Sequence, residues 1–167
     1  HVAAVLDALE VDVAGLRGLR VVLDSINGAG CVDTPALLKA LGCEVIHLNG
    51  EPTGEFAHQP EPIKENLGDL CAAVRAARAA IGFAQDPDAD RLAMVDEHGT
   101  YIGEEYTLAL ATRSVLSRRP GPVAANLSTS RMIDDVAARF GTTVVRTPVG
   151  EAHVAHGMLA HQCVIGG

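Results

Sequence analysis

Two apolar, β-branched runs, "RVVLDS" (20–25) and "CEVIHL" (43–48), bracket the helical stretch "DTPALLKALG" (33–42). Strand, helix and strand within about 30 residues make a βαβ unit, which leaves its two strands parallel. This pattern constrains the fold more than any other feature, because a parallel sheet needs helices over both faces. Asp33 or Thr34 can cap the helix, Pro35 suits a first helical position and Gly42 the C-terminal stop. The composition agrees: 48% of residues are hydrophobic, Trp is absent and aromatics make up 3%. A core of small aliphatic side chains suits helices packed on a parallel sheet.

The pattern continues along the chain. "IKENLGDLCAAVRAARA" places Ile63, Leu67, Leu70 and Val74 on one helical face, and "AIGFA" (80–84) supplies a third strand. Between the second strand and that helix lies "NGEPTGEFAHQPEP" (49–62), a polar loop long enough to be functional or mobile. "RLAMVDEHGTYIG" (91–103) reads as a hairpin turning at "DEHG", and "EEYTLALATRSVL" as the next helix. "RRPGP" (118–122) is the sharpest break in composition and reads as a domain boundary. After it, "VAANLS", "SRMIDDVAARFG", "TTVVRT", "EAHVAHGMLA" and "CVIGG" give strand, helix, strand, helix, strand. Residues before 18 read as an entry helix and a short second turn. The predicted fold class is α/β: two three-layer α/β/α units with mostly parallel sheets, the second truncated.

A net charge of −8 and the lack of any basic run argue against nucleic acid and against an anionic membrane surface. No apolar stretch approaches the ~20 residues that span a bilayer. Cys31, Cys43, Cys71 and Cys163 form no C-x-x-C pair and read as buried, reduced thiols of a cytoplasmic protein. The start at His1 and the stop at "VIGG" read as the ends of a piece of a longer protein.

The sharpest chemical signal is "QDPDADR" (85–91), which places Asp86, Asp88 and Asp90 just past the C-terminal end of the third strand. Ligands bind at that edge of open α/β sheets. Two carboxylates about 4 Å apart repel by roughly 4 kcal/mol at an effective dielectric of about 20, so water, Arg91 or a divalent cation must offset the charge. Extended backbone spreads alternate side chains about 7 Å apart, and a helix turns the middle one away. A curled loop, favoured by Pro87, brings all three around a hard cation such as Mg²⁺ or Ca²⁺. A calcium EF-hand loop starting at Asp86 and ending at Glu97 fails, because Arg91 stands where its glycine belongs and a strand precedes it. A solvated acidic turn paired with Arg91 is the other reading.

Other clusters are weaker. "NGAG" (27–30) lacks the third glycine of a dinucleotide fingerprint and reads as a tight strand-to-helix turn. His153, His156 and His161 lack zinc-motif spacing and read as helix-surface residues. "TPVGEAHV" (147–154) puts Gly150 at the opening of a helix with Glu151 beside it. No nucleophile elbow and no P-loop occurs.

Taken in order, these stretches resemble the α-D-phosphohexomutases: phosphoglucomutase, phosphomannomutase and phosphoglucosamine mutase. The family's metal loop, D-x-D-[GA]-D-R followed by an apolar arm and "DE.G", stands here as "DPDADRLAMVDEHG". "VVLDSINGAG" is similar to the opening of the family's second domain, and "NLSTSRMIDDVA" and "TPVGEAHVAHGM" to its third. The resemblance implies a linker helix over 1–11, domain 2 over 12–103 and a truncated domain 3 over 104–167, with domains 1 and 4 of the same chain missing. It implies phosphoryl transfer on a hexose phosphate through a phosphoserine and a bisphosphorylated sugar. Asp86, Asp88 and Asp90 would hold Mg²⁺, Arg91 would face the transferring phosphate, and Gly150 and Glu151 would face the substrate. The family's S-H-N phosphoserine loop does not occur in these residues, which implies that the chain alone is inactive; the family's G-E-x-S-G-H segment would begin where the chain stops, at Gly166 and Gly167. The alternative is a non-catalytic α/β module whose acidic loop binds a cation.

Overall fold

The computed structural model describes residues 2–8 and 13–167. Residues 1 and 9–12, parts of the expected entry segment, linker and start of domain 2, lie outside the described residues. Two compact units result, dividing between Glu104 and Glu105.

In the first unit, α1 (Val2–Ala8) and a 3-10 turn (Val13–Leu16) precede β1 (Arg20–Asp24). Then come α2 (Asp33–Ala40), β2 (Glu44–Leu48), α3 (Gly68–Ala77), β3 (Ile81–Gln85) and β4 (Leu92–Val95). The sheet order is β2-β1-β3-β4, with β1 parallel to both β2 and β3 and β4 antiparallel to β3. Alternate residues of β1 point to opposite faces. Val22 joins Leu67, Leu70, Val74, Ala84, Ala93 and Val95 in a core under α3, while Val21 and Leu23 are buried on the other face. This is the expected layering of helices over both faces.

Three local expectations fail. α3 begins at Gly68, so Ile63 lies outside it, in extended backbone and exposed. A 3-10 turn (Lys64–Asn66) separates Ile63 from the helix and breaks the helical periodicity. The residue capping α2 is Val32, and neither Asp33 nor Thr34 lies before the first turn, because a 3-10 turn (Ala29–Cys31) runs almost directly into the helix. The second arm of the 91–103 hairpin is only a single bridge between Val95 and Tyr101.

The second unit begins with α4 (Glu105–Leu116), followed by β5 (Val123–Asn126), α5 (Met132–Arg139), β6 (Val144–Thr147), α6 (Glu151–His161) and β7 (Ile165–Gly166). Its sheet runs β6-β5-β7, all parallel. Val123 and Ala125 pack with Leu116, Ile133 and Ala137 on one face; Ala124 is buried on the other, where α6 lies. The "RRPGP" stretch is therefore no boundary. It is an internal connection from α4 to β5, because Leu116 of α4 is part of the second unit's own core.

No helix among the described residues is long and apolar enough to cross a membrane. The four cysteines are free; Cys31 is buried and the other three are half-buried.

Candidate functional site

The acidic loop is the tip of the β3–β4 hairpin, since Gln85 pairs directly with Leu92. Asp86 is 1% exposed and organises the loop. Its Oδ1 accepts the Arg91 backbone N–H (3.0 Å), its Oδ2 accepts Arg91 Nε–H (3.0 Å), and its carbonyl accepts the Ala89 N–H (3.0 Å). Ala89 adopts a left-handed backbone, φ 63°, which curls the chain back. The three carboxylates offer oxygens within 4.8 Å of one another, with Asp88 and Asp90 exposed. Curling thus achieves what neither strand nor helix geometry can.

The electrostatics bear the mark of crowding. Burial pushes the Asp86 carboxyl up, but the backbone and guanidinium donors of Arg91 outweigh it and hold it below the usual carboxylate value. Asp90 is pushed up by its hydrogen bond with Asp86 and by the negative charges of Asp86 and Asp88. Arg91, whose side chain is 55% exposed, is held more firmly protonated by Asp86. The donor set is three hard oxygens with an excess of negative charge, which fits a hard divalent cation such as Mg²⁺ or Ca²⁺ and not a soft metal. The other reading from sequence, a turn paired with Arg91, is also partly visible in the Asp86–Arg91 ion pair.

Behind the loop stands the turn after β1. Ala29 N–H donates to the Pro87 carbonyl (2.8 Å), and a Cβ on Gly28 would meet that same oxygen at 2.5 Å. Glycine is required there by the close approach of two backbones. Gly30 lies against the side chain of Gln85, whose buried Oε1 has no hydrogen-bond partner among the described residues. Ile26, fully buried and β-branched, sits at φ 48°, a strained conformation for such a residue. The buried Asp24 supports it: Oδ1 accepts the Ile26 N–H (3.0 Å) and Asn49 Nδ2–H (2.9 Å).

In the second unit, Gly150 caps α6 at φ 122°, a conformation that side-chain-bearing residues rarely adopt, and Glu151 is the exposed first residue of the helix. Asn126 and Thr147 are paired across β5 and β6, so the loops that follow them leave the same edge of the sheet. Arg146 ties down the first of these loops. Its guanidinium donates to the carbonyls of Asn126 (3.0 Å), Thr129 (2.8 Å) and Ser130 (3.4 Å) and pairs with Asp134. Asn126 Oδ1 accepts the backbone N–H and hydroxyl of both Ser128 and Thr129.

The structure brings Asp86, Asp88, Asp90 and Arg91 together in the first unit; Gly150 and Glu151 belong to the second. His153, His156 and His161 are exposed on α6, as expected. Asp24, Asn27, His58 and Arg146 escaped sequence reasoning, because each acts on residues far along the chain. The one available signal was a charged residue at the end of an apolar run in Asp24.

Residues 1–99 match the model of phosphoglucomutase/phosphomannomutase α/β/α domain II, and residues 103–167 that of domain III. A probable phosphoglucosamine mutase of Methanopyrus kandleri is 46% identical over 100% of this chain and 37% of its own length. A phosphoglucomutase/phosphomannomutase of Thermococcus kodakarensis is 40% identical over the same shares, 100% and 37%. The crystal structure of a phosphoglucomutase/phosphomannomutase family protein from Burkholderia thailandensis superposes with a TM-score of 0.85 at 30% identity, covering 99% of this chain and 36% of that one. The chain thus spans little more than a third of the relatives it matches. Over that span it carries two successive domains in the same order, with the acidic loop at the hairpin tip of the first, and it belongs to the phosphoglucomutase/phosphomannomutase family.

Proposed function

We propose that the protein containing these residues is a Mg²⁺-dependent phosphohexomutase that interconverts the 1- and 6-phosphates of a hexose. A phosphoserine outside residues 1–167 gives its phosphoryl group to the free hydroxyl of the hexose phosphate. The bisphosphorylated sugar then returns its other phosphoryl group to the serine. Such chemistry depends on positioning and charge neutralisation more than on covalent help from the protein.

In this reading Asp86, Asp88 and Asp90 hold the Mg²⁺. The ion, when bound, supplies positive charge beside the transferring phosphoryl oxygens. Asp86 is held in place for that role by Arg91 N–H and Nε–H. The half-exposed guanidinium of Arg91 faces the phosphate, and Gly150 and Glu151 face the sugar. Domain 2 covers residues 12–103 and domain 3 residues 104–167, with 1–11 leading in from a preceding domain; domains 1 and 4 complete the active site. The chain alone has no mutase activity, because no Ser-His-Asn sequence occurs in it. Free thiols fit a reducing cytoplasm.

The observation that carries the reading is the convergence of three carboxylate oxygens within 4.8 Å at the hairpin tip, in a chain of this family. The test is hexose-phosphate isomer exchange by the full-length protein, with and without Mg²⁺, for wild type and Asp88→Asn. The reading expects activity that needs Mg²⁺ and falls by at least roughly a hundredfold in the variant. Equal activity in all arms removes the metal role; no exchange of any hexose phosphate by the wild type removes the mutase.

A further inference from the structure

We propose that His58 is a proton-dependent latch: doubly protonated, it bridges buried Asp24 to the 49–62 segment and pins that segment over the turn after β1; deprotonated, it releases it. The latch stands independently of the phosphoryl-transfer reading.

Both ring nitrogens of His58 face oxygens. His58 Nε2 lies 3.1 Å from Asp24 Oδ2, and its Nδ1 lies 2.8 Å from the Gln59 carbonyl. A carbonyl oxygen only accepts, so Nδ1 carries a proton. Asp24 accepts two N–H groups on its other oxygen, and an ionised Oδ2 likewise only accepts, so the latched state is the one in which Nε2 carries a proton as well. Only the imidazolium has both donors; either neutral tautomer turns a nitrogen lone pair onto an oxygen lone pair.

The pair also holds the segment where little else does. From 51 to 61, His58 alone is not exposed. Asn66 Nδ2–H holds the Glu61 carbonyl (2.8 Å) and Asn49 Nδ2–H reaches Asp24 (2.9 Å); most of the other ties run through Asn27. Its N–H donates to the Asn49 carbonyl (2.7 Å), its Nδ2–H to the Glu55 carbonyl (3.0 Å), and it accepts the Gly54 N–H (3.0 Å) and the Glu51 N–H (3.2 Å). Asp24 is 1% exposed, and His58 is its one ion-pair partner among the described residues. Loss of the His58 proton therefore leaves a buried carboxylate without its cation.

Other titratable groups surround the pair: His47 of β2, which meets Ser25 Oγ at 2.9 Å, Lys39 of α2, Cys31 of the turn, and Glu51 of the segment itself. His47 is the rival sensor. It also senses Asp24, but burial and then Lys39 act to keep it neutral, and its ring meets a hydroxyl that can donate or accept. It can thus stay bonded in either state. The turn that the segment covers carries Ala29, whose N–H holds the Pro87 carbonyl of the acidic loop. Release of the latch thus loosens the support of that loop.

The test uses the whole chain. Proton–nitrogen correlation spectra of the histidine rings, from about pH 5 to about pH 8.5, are paired with amide exchange corrected for intrinsic pH dependence. The latch expects a doubly protonated His58 ring wherever the Glu51 and Gly54 amides are protected. It expects their protection to fall roughly tenfold or more as that ring loses its proton. His58→Gln should leave both amides poorly protected at every pH, with the amides of β5 unchanged. A neutral His58 ring under a protected segment overturns the proposal, as does pH-dependent loosening that persists in His58→Gln. Should His58→Gln not fold, His47→Gln decides: loosening that still follows the His58 ring supports the latch, and its disappearance assigns the effect to His47.

Discussion

The two units present the same kind of edge, the C-terminal ends of parallel strands, and they organise it with opposite charges. In the first, a buried carboxylate gathers donors: Asp86 takes the backbone and side chain of Arg91 and leaves two more carboxylates beside it. In the second, a cation gathers acceptors: Arg146 takes three carbonyls and the Asp134 carboxylate. The second edge is satisfied within the chain. The first is not, since three carboxylates face one guanidinium. A folded edge that still carries surplus charge of one sign is where an outside ion has something to do; a neutralised edge offers shape and hydrogen bonds instead.

The largest test of this contrast is Arg146→Ala. It takes a donor from three carbonyls and the ion-pair partner from Asp134 at once and should cost about 2–3 kcal/mol in urea unfolding, with Arg146→Lys recovering less than half of the loss. A cost below about 0.5 kcal/mol would mean that the second edge does not depend on its cation. Next comes Gly28→Ala. The new methyl meets the Pro87 carbonyl, so the acidic loop must shift, at about 1–3 kcal/mol, and any gain in stability from Mg²⁺ should shrink with it. Asp86→Asn keeps an acceptor for the Arg91 amide but loses the charge. It should cost about 1 kcal/mol at neutral pH, kept small because Arg91 is half-exposed.

That last cost should depend on pH, with a definite sign. The Asp86 carboxyl is held below its unfolded value. Its contribution is therefore complete above the ordinary carboxylate value of about 3.9 and fades as pH falls through the lower folded value. Unfolding curves of wild type and Asp86→Asn should converge in acid; a constant gap would show that the charge of Asp86 is not what the variant removed. The smallest effect is the ion itself. Millimolar Mg²⁺ should raise the unfolding free energy of the chain by no more than about 1 kcal/mol, and Asp88→Asn should abolish the rise while Arg146→Lys keeps it. A rise that survives Asp88→Asn would place the ion elsewhere.

Local, periodic features were legible in the sequence. The βαβ pattern, both sheets and the position of the aspartates at a strand end all follow from runs of neighbouring residues, and so does the apolar face of Leu67, Leu70 and Val74. Failures came where a nonlocal partner or an irregular turn decided the outcome. Ile63 carried the right spacing, yet a 3-10 turn cut it off from α3. "RRPGP" had the composition of a boundary, yet Leu116 before it packs into the same core as Val123 after it. At the candidate site, the acidic cluster and Arg91 lie within six residues and could be found by spacing. Asp24 and His58 are 34 residues apart, Asn27 and Glu55 28, and Arg146 and Thr129 17. Nothing local in the sequence marks such pairs.

The direct pairing of Gln85 with Leu92 has a consequence for how this loop can change over time. Ala84 and Ala93 face each other on the core side of the hairpin, and Phe83 and Met94 on the opposite side. A strand alternates with a period of two, so a slip of the Gln85–Leu92 pairing by one residue would exchange the inward and outward sets of β4, and any change in length has to be taken up within 86–91. The sheet holds the register, and the loop alone absorbs a change in its length. A change in loop length re-spaces Asp86, Asp88 and Asp90 while the strands stay in place, whereas a substitution leaves their spacing intact.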